Sequence, residues 1–164
     1  MKTAKAFRTK SKKLTGTNYS ELNKKAYCIY SQIEKRSKRR PYIRSKYFNK
    51  EKIFLGLFWH HLKDKLNHKD KIRRLKYLPC ALELIKNSRL NPTSKENPDR
   101  RSEIFHRFVG LTTDDEIFFV QIKENKNNNQ KYLISIFPLD KQMKKTFRQF
   151  VAYKPRPKVF SILV

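Results

Sequence analysis

The run SEIFHRFVGLTTDDEIFFVQIKENKNNNQKYLISIFP, residues 102–138, constrains this chain more than any other stretch. Within it, segments 104–111, 117–123 and 131–137 are rich in Ile, Phe, Val and Tyr. Thr112-Thr113-Asp114-Asp115 separates the first two, and an Asn/Lys-dominated loop over 124–130 separates the last two. That pattern predicts an antiparallel meander. Period-two alternation puts Phe118, Val120 and Ile122 on one face of the middle strand, and Tyr132, Ile134 and Ile136 on the matching face of the third. The opposite face mixes Phe119, Gln121 and Lys123 with Lys131, Leu133, Ser135 and Phe137. Helices covering the apolar face and polar groups on the other would account for this division. The expected fold class is therefore α+β, helices packed on a small antiparallel β-sheet meander.

A chain of 164 residues has room for one core, and its formal net charge is +26. Self-repulsion of that size calls for a polyanion, of which nucleic acid is the commonest; an anionic membrane or an acidic protein would also suffice. No apolar run reaches membrane-spanning length and the basic N-terminus lacks the apolar core of a secretory signal, so a cytoplasmic protein without membrane association is expected. Cys28 and Cys80 are too few and too far apart for a disulfide framework or a zinc motif. Three glycines exclude a Gly-rich phosphate loop. No cofactor and no metal are expected.

Residues 1–14 are Lys-rich with few large apolar groups and read as a flexible basic arm. Asn18, with Glu21 three residues on, signals a helix start, and Leu22, Ala26, Ile29, Tyr30 and Ile33 follow at helical spacing. The first fifty residues hold sixteen Lys/Arg against two Glu, an excess that a solvated surface alone does not explain. RNA-contacting candidates there are Lys35, Arg36, Lys38, Arg39, Arg40 and Arg44. Tyr42 and Tyr47 could stack on bases or pack under the domain. Residues 49–66 read as the strongest helix, with Phe54, Phe58 and Leu62 one above another and His61 near the edge of the stripe. Helical spacing continues from Ile72 to Ile85, 91–99 reads as an exposed loop, and Asp140 could cap a basic helix through Met143, Phe147 and Phe150. Residues 154–164 form a basic tail whose end could add an edge strand. The expected division is 1–48, arm and amphipathic helix; 49–153, catalytic-type domain; 154–164, tail.

Without a metal motif, a Ser-His-Asp order or paired carboxylates, catalysis would fall to His, Lys, Arg and hydroxyl groups. RNA suits such chemistry because its own 2′-hydroxyl is the nucleophile. The protein need only align it, move two protons and hold the phosphorane with cations. On chemistry alone, a lone histidine such as His61 is more often a packed or surface residue than a proton carrier.

The residues His61-Leu62-Lys63 with His68, Tyr77-Leu78-Pro79 through Asn91-Pro92, Phe119-Val120-Gln121-Ile122-Lys123, and Leu133-Ile134-Ser135-Ile136-Phe137-Pro138 resemble the phage-type branch of the barnase/EndoU/colicin/RelE-like (BECR) nucleases over about residues 50 to 150. The resemblance implies a metal-independent, toxin-like endoribonuclease. It implies His61 as a catalytic residue, Lys123 as a phosphate contact, and Ser135 where the family usually shows a strand threonine. His68 is spaced farther from His61 than the paired histidine would be. Arg73, Arg74, His106 and Arg107 are further candidates by chemistry, the three arginines as RNA contacts. RNA would be the partner, with an acidic antitoxin or immunity protein as a second. The competing reading is a non-catalytic nucleic-acid-binding accessory protein of a mobile element or ribosome.

Overall fold

The computed structural model describes residues 3–65, 67–139 and 161–163. In chain order the elements are β1 (Thr3–Lys5), β2 (Phe7–Arg8), α1 (Tyr19–Arg36), β3 (Tyr42–Ser45), β4 (Glu51–Phe54), α2 (Gly56–Lys63) and α3 (His68–Lys76). Then come α4 (Leu78–Asn87), β5 (Thr93–Glu96), β6 (Glu103–Leu111), β7 (Ile117–Asn125), β8 (Gln130–Pro138) and β9 (Ser161–Leu163). The architecture is α+β, and the expected meander is present as β6, β7 and β8.

The sheet around the meander is larger than expected and mixed. Its order is β2-β6-β7-β8-β4-β3, with β5 sharing the outer edge of β6 with β2. Two parallel pairings make it mixed: Phe7 and Arg8 lie beside Gly110 and Leu111, and Ile53 and Phe54 lie beside Lys131 and Tyr132. These added strands are two to four residues long, too short for a periodic signal. The expected loop at 91–99 contains β5, which pairs with Ile104–Arg107. A separate antiparallel pair joins β1 to β9.

Local chemistry sets the helix boundaries. Asn18 Oδ1 accepts from the Ser20 amide at 2.8 Å to start α1, and Asn67 Oδ1 accepts from the Lys69 amide at 2.9 Å to start α3. Pro79 sits in the first turn of α4, where its missing N–H costs nothing. The single helix expected over 49–66 is instead β4 followed by α2. Phe54 belongs to the strand and Leu55 to the junction, so only 56–63 is helical at this point. The apolar residues of a strand and a helix in tandem had imitated one helical stripe. The helix expected after Asp140 lies outside the described residues.

One core fills the space between helices and sheet. Phe118, Val120, Ile122, Leu133 and Ile136 meet Leu22 and Ala26 of α1, Phe58 and Leu62 of α2, Leu75 of α3 and Ala81, Leu84 and Ile85 of α4. Each Val, Leu, Ile or Phe among them contributes about 1.5–3 kcal/mol by leaving water. Gly110 is fixed by this packing, because a Cβ there would lie 2.2 Å from the Phe118 ring. The expected boundary at 48/49 falls within the β3–β4 hairpin, and α1 shares the same core.

The expected flexible arm is strapped to the domain. Beyond β2, the Thr9 amide donates to Leu111 O at 2.9 Å and the Leu14 amide to Lys76 O at 2.9 Å. Lys10 and Ser11 donate backbone N–H groups to the Glu83 carboxylate at 2.9 and 2.6 Å. Lys13 reaches Glu116 at 2.5 Å.

Alternation holds through β7 and reverses within β8. Gln121 faces Ser135 but Ile122 faces Leu133, leaving Ile134 as the extra residue of a β-bulge. Ser135 and Phe137 keep the mixed face, as expected. Tyr132 joins them there, while Lys131 and Leu133 turn inward, with exposures of 4% and 0%. The expectation for those last three residues is thus inverted. Among the described residues, the four helices pack against the apolar face and none packs across the mixed one.

Candidate functional site

The site forms where β8 loses its neighbour. β4 accompanies β8 only as far as Tyr132. Beyond it, helices supply donors to the edge carbonyls, which would otherwise go unpaired. His61, near the end of α2, places Nδ1 3.2 Å from Ile134 O, and Arg74 of α3 places Nη1 3.3 Å from Ile136 O. A carbonyl only accepts, so Nδ1 carries the proton, and the neutral ring keeps its lone pair on Nε2. His61 is exposed, so that lone pair is within reach of a ligand.

Arg74 ties α3 to the strand. Its Nε donates to Asp70 Oδ2 at 2.9 Å, one helical turn back, and its Nη1 donates to Ser135 Oγ at 2.6 Å. Because guanidinium can only donate, Ser135 accepts here and its own hydroxyl proton remains available; no described residue takes it. Arg107 approaches from β6, its guanidinium 5.5 Å from the Phe137 ring centroid, with Arg74 5.8 Å from the same ring. Phe137 thus gathers two cations beside Ser135. Gln121 lies opposite both Ser135 and Arg107 in the sheet register. An exposed imidazole, two guanidinium groups, a hydroxyl and an amide therefore surround the bulge.

Lys123 stands apart from this group. It shares the mixed face with Ser135 but belongs to the neighbouring rung, opposite Tyr132. Its ammonium donates to Glu103 at 3.3 Å. The Asn97 hydrogen bond, opposed by burial and reinforced by Lys123, holds the Glu103 carboxyl below its usual range. The structure therefore brings His61, Ser135, Arg74 and Arg107 together, and Lys123 only to the margin.

The N-terminal cations form a second surface. Arg36, Lys38, Arg39 and Arg40 line an open cleft of about 580 Å³ with Tyr42, Lys52 and Phe54. Arg44 lies 5.6 Å from the Tyr42 ring centroid and donates to Lys50 O at 2.9 Å. Lys35 is in the last turn of α1 and does not line the cleft. Arg73 is exposed on α3. Tyr47 packs edge-on against Phe48 and Phe108, which resolves it as a packing residue.

Two histidines take other roles. His68 meets the Tyr19 ring edge-on at 5.2 Å, away from the bulge. His106 is buried, with Nδ1 2.7 Å from Ser94 Oγ and Nε2 2.6 Å from Glu124 Oε2, and it rests on Phe48. That chain of contacts ties β5, β6 and β7 together, a structural use of the ring. Sequence reasoning missed Asp70, although its i, i+4 spacing to Arg74 was a signal. It also missed Lys52, whose relation to the cleft only the hairpin reveals. Among the described residues, no three His, Cys, Asp or Glu side chains cluster as metal ligands.

Neither protein-family models, nor curated proteins, nor solved structures match this chain. The chemistry of the site itself therefore carries its interpretation.

Proposed function

We propose that this chain binds RNA and cleaves it by attack of the substrate's own 2′-hydroxyl, in the manner of the BECR nucleases it resembles. The observation that carries this reading is the anchoring of His61 Nδ1 on Ile134 O beside the Arg74–Ser135 contact. Nε2 of neutral His61 takes the 2′-hydroxyl proton, O2′ bonds to phosphorus, and the P–O5′ bond breaks, O5′ leaving with a proton from water. Ser135, Arg74 and Arg107 donate to the non-bridging oxygens, where charge accumulates. Lys123 would serve only if it left Glu103. The exposed cations would also suit an acidic antitoxin or immunity protein as a second partner.

His61→Ala, Ser135→Ala and Arg74→Ala should each reduce cleavage of a mixed RNA pool, His61→Ala by about 10²- to 10⁴-fold. Products should carry 2′,3′-cyclic phosphate ends, EDTA should have no effect, and 2′-deoxy substrates should survive. Full activity of His61→Ala, or loss of activity in EDTA, would remove this mechanism.

A specific observation favours a second reading, binding without catalysis. Among the described residues, the group at the bulge contains one imidazole, and the carboxylate beside it, Asp70, is paired with Arg74. Absence of cleavage by folded protein over diverse RNAs would select that reading.

A further inference from the structure

One rung crosses the mixed face from β3 to β5. By register it consists of Tyr42, Phe54, Tyr132, Lys123, Phe105 and Lys95. The first three are neighbouring rings, with centroids 6.3 Å apart for Tyr42 and Phe54 and 5.7 Å apart for Phe54 and Tyr132. Each carries a cation. Lys52 is 4.7 Å from the Tyr42 centroid, Arg40 4.0 Å from that of Phe54, and Lys123 5.9 Å from that of Tyr132. All three rings are partly exposed.

Cross-strand aromatic pairs also stabilise sheets by packing alone. Packing alone does not account for Tyr42, Phe54 and Tyr132, because they lie on the face away from the main core and each of the three is matched with a cation. The row starts in the cationic cleft, which Tyr42, Phe54, Lys52 and Arg40 all line. At Tyr132 it comes within one rung, about 7 Å along the strand, of Ser135, Gln121 and Arg107. A run of π-faces with cations at their margins is the combination that holds unpaired bases and their phosphates.

We infer that this rung is a stacking platform for single-stranded RNA, bases lying on Tyr42, Phe54 and Tyr132 and phosphates on the cations of the cleft. Arg40 already covers Phe54 with a planar guanidinium, so a base either stacks upon it or displaces it. The backbone then runs on toward Ser135. The choice of RNA rests on the proposed activity; the stacking does not.

The test is fluorescence anisotropy with a 2′-O-methyl oligoribonucleotide, which cannot be cleaved by 2′-hydroxyl attack, so binding is read independently of catalysis. Tyr42→Leu, Phe54→Leu and Tyr132→Leu keep apolar bulk and remove the π-face. Each should weaken binding by about 5- to 100-fold while leaving the salt slope unchanged. Binding of a duplex of the same sequence should be unaffected. Tyr132→Trp, with its larger face, should hold or tighten affinity and lose fluorescence on binding, which covers the case of a Leu variant that folds poorly. Wild-type affinity in all three folded Leu variants, or equal losses on the duplex, would overturn the platform. Tighter binding of the corresponding single-stranded DNA would overturn the assignment to RNA. A platform that binds while no RNA is cleaved would stand without the nuclease reading, and cleavage unaffected by the Leu variants would leave that reading standing without the platform.

Discussion

Lys131 shows how far one residue's surroundings can depart from its position in an alternating pattern. Alternation puts it on the polar face, yet the bulge at Ile134 turns it inward, where it is 4% exposed. There it pairs with Glu51, lies 3.8 Å from Glu124 and sits 5.1 Å from the Phe48 ring centroid. Removing its charge leaves Glu51 without its cation and Glu124 with its His106 contact, though Glu51 is half exposed and water offsets part of the loss. Lys131→Ala should therefore cost about 1–3 kcal/mol in denaturant unfolding. Gln121→Ala, on the mixed face, should stay within about 0.5 kcal/mol. Equal midpoints for the two would mean that the register of β8 across the bulge is wrong. The adjacent apolar pair Leu133-Ile134, both buried, is the local sign of that bulge. Arg74 and Arg107 were recognisable by chemistry and His61 and Ser135 through the family resemblance, but the convergence of the four depends on the bulge and on β4 stopping at Tyr132. The end of β4 leaves no mark in local periodicity, and the bulge leaves only the adjacent pair Leu133-Ile134.

At the scale of elements, β6, β7 and β8 were legible because nine-residue strands of branched and aromatic residues carry a strong period-two signal. β2, β4 and β5 were not, since strands of two to four residues are defined by their partners. The N-terminal strap was hidden for a related reason: its contacts are backbone hydrogen bonds, which composition does not reveal. Glu83 is its fastener. Burial, the largest single influence, pushes the Glu83 carboxyl up, but hydrogen bonds from Ser11 and Lys10 and the Lys10 charge together hold it below its usual range. A carboxyl depressed in the folded state stabilises above its unfolded value, and that contribution is lost as pH falls through the depressed one. Amide exchange at Thr9 and Leu14 should accordingly accelerate, beyond the intrinsic pH effect, as pH drops below about 4.5. In Glu83→Gln the same amides should be less protected at neutral pH and lack that acid-dependent loss. An unchanged acid profile in the variant would place the fastening elsewhere.

For the molecule as a whole, the 40 Lys and Arg outnumber the 14 Asp and Glu, and much of the acidic minority is already engaged internally. Glu83 holds the strap, Asp70 holds Arg74, Glu103 holds Lys123 and Glu116 holds Lys13. The uncompensated charge is therefore an outward one, and Arg36, Lys38, Arg39 and Arg40 concentrate it at the cleft. Deleting residues 1–40 would not isolate its effect, because β2 and the buried Leu22 and Ala26 would go with it. Replacing those four cations with Gln leaves the strap and core in place. Each phosphate that is no longer neutralised should flatten the dependence of log K on log salt by about 0.7 for a single strand, so the quadruple variant should lose up to about 3 from the wild-type slope. The aromatic variants at Tyr42, Phe54 and Tyr132 should shift affinity at every salt concentration without that flattening. Parallel lines for wild type and the quadruple variant would show that the cleft carries no phosphates, and would move the polyanion-binding surface to the region around Arg73, Arg74 and Arg107.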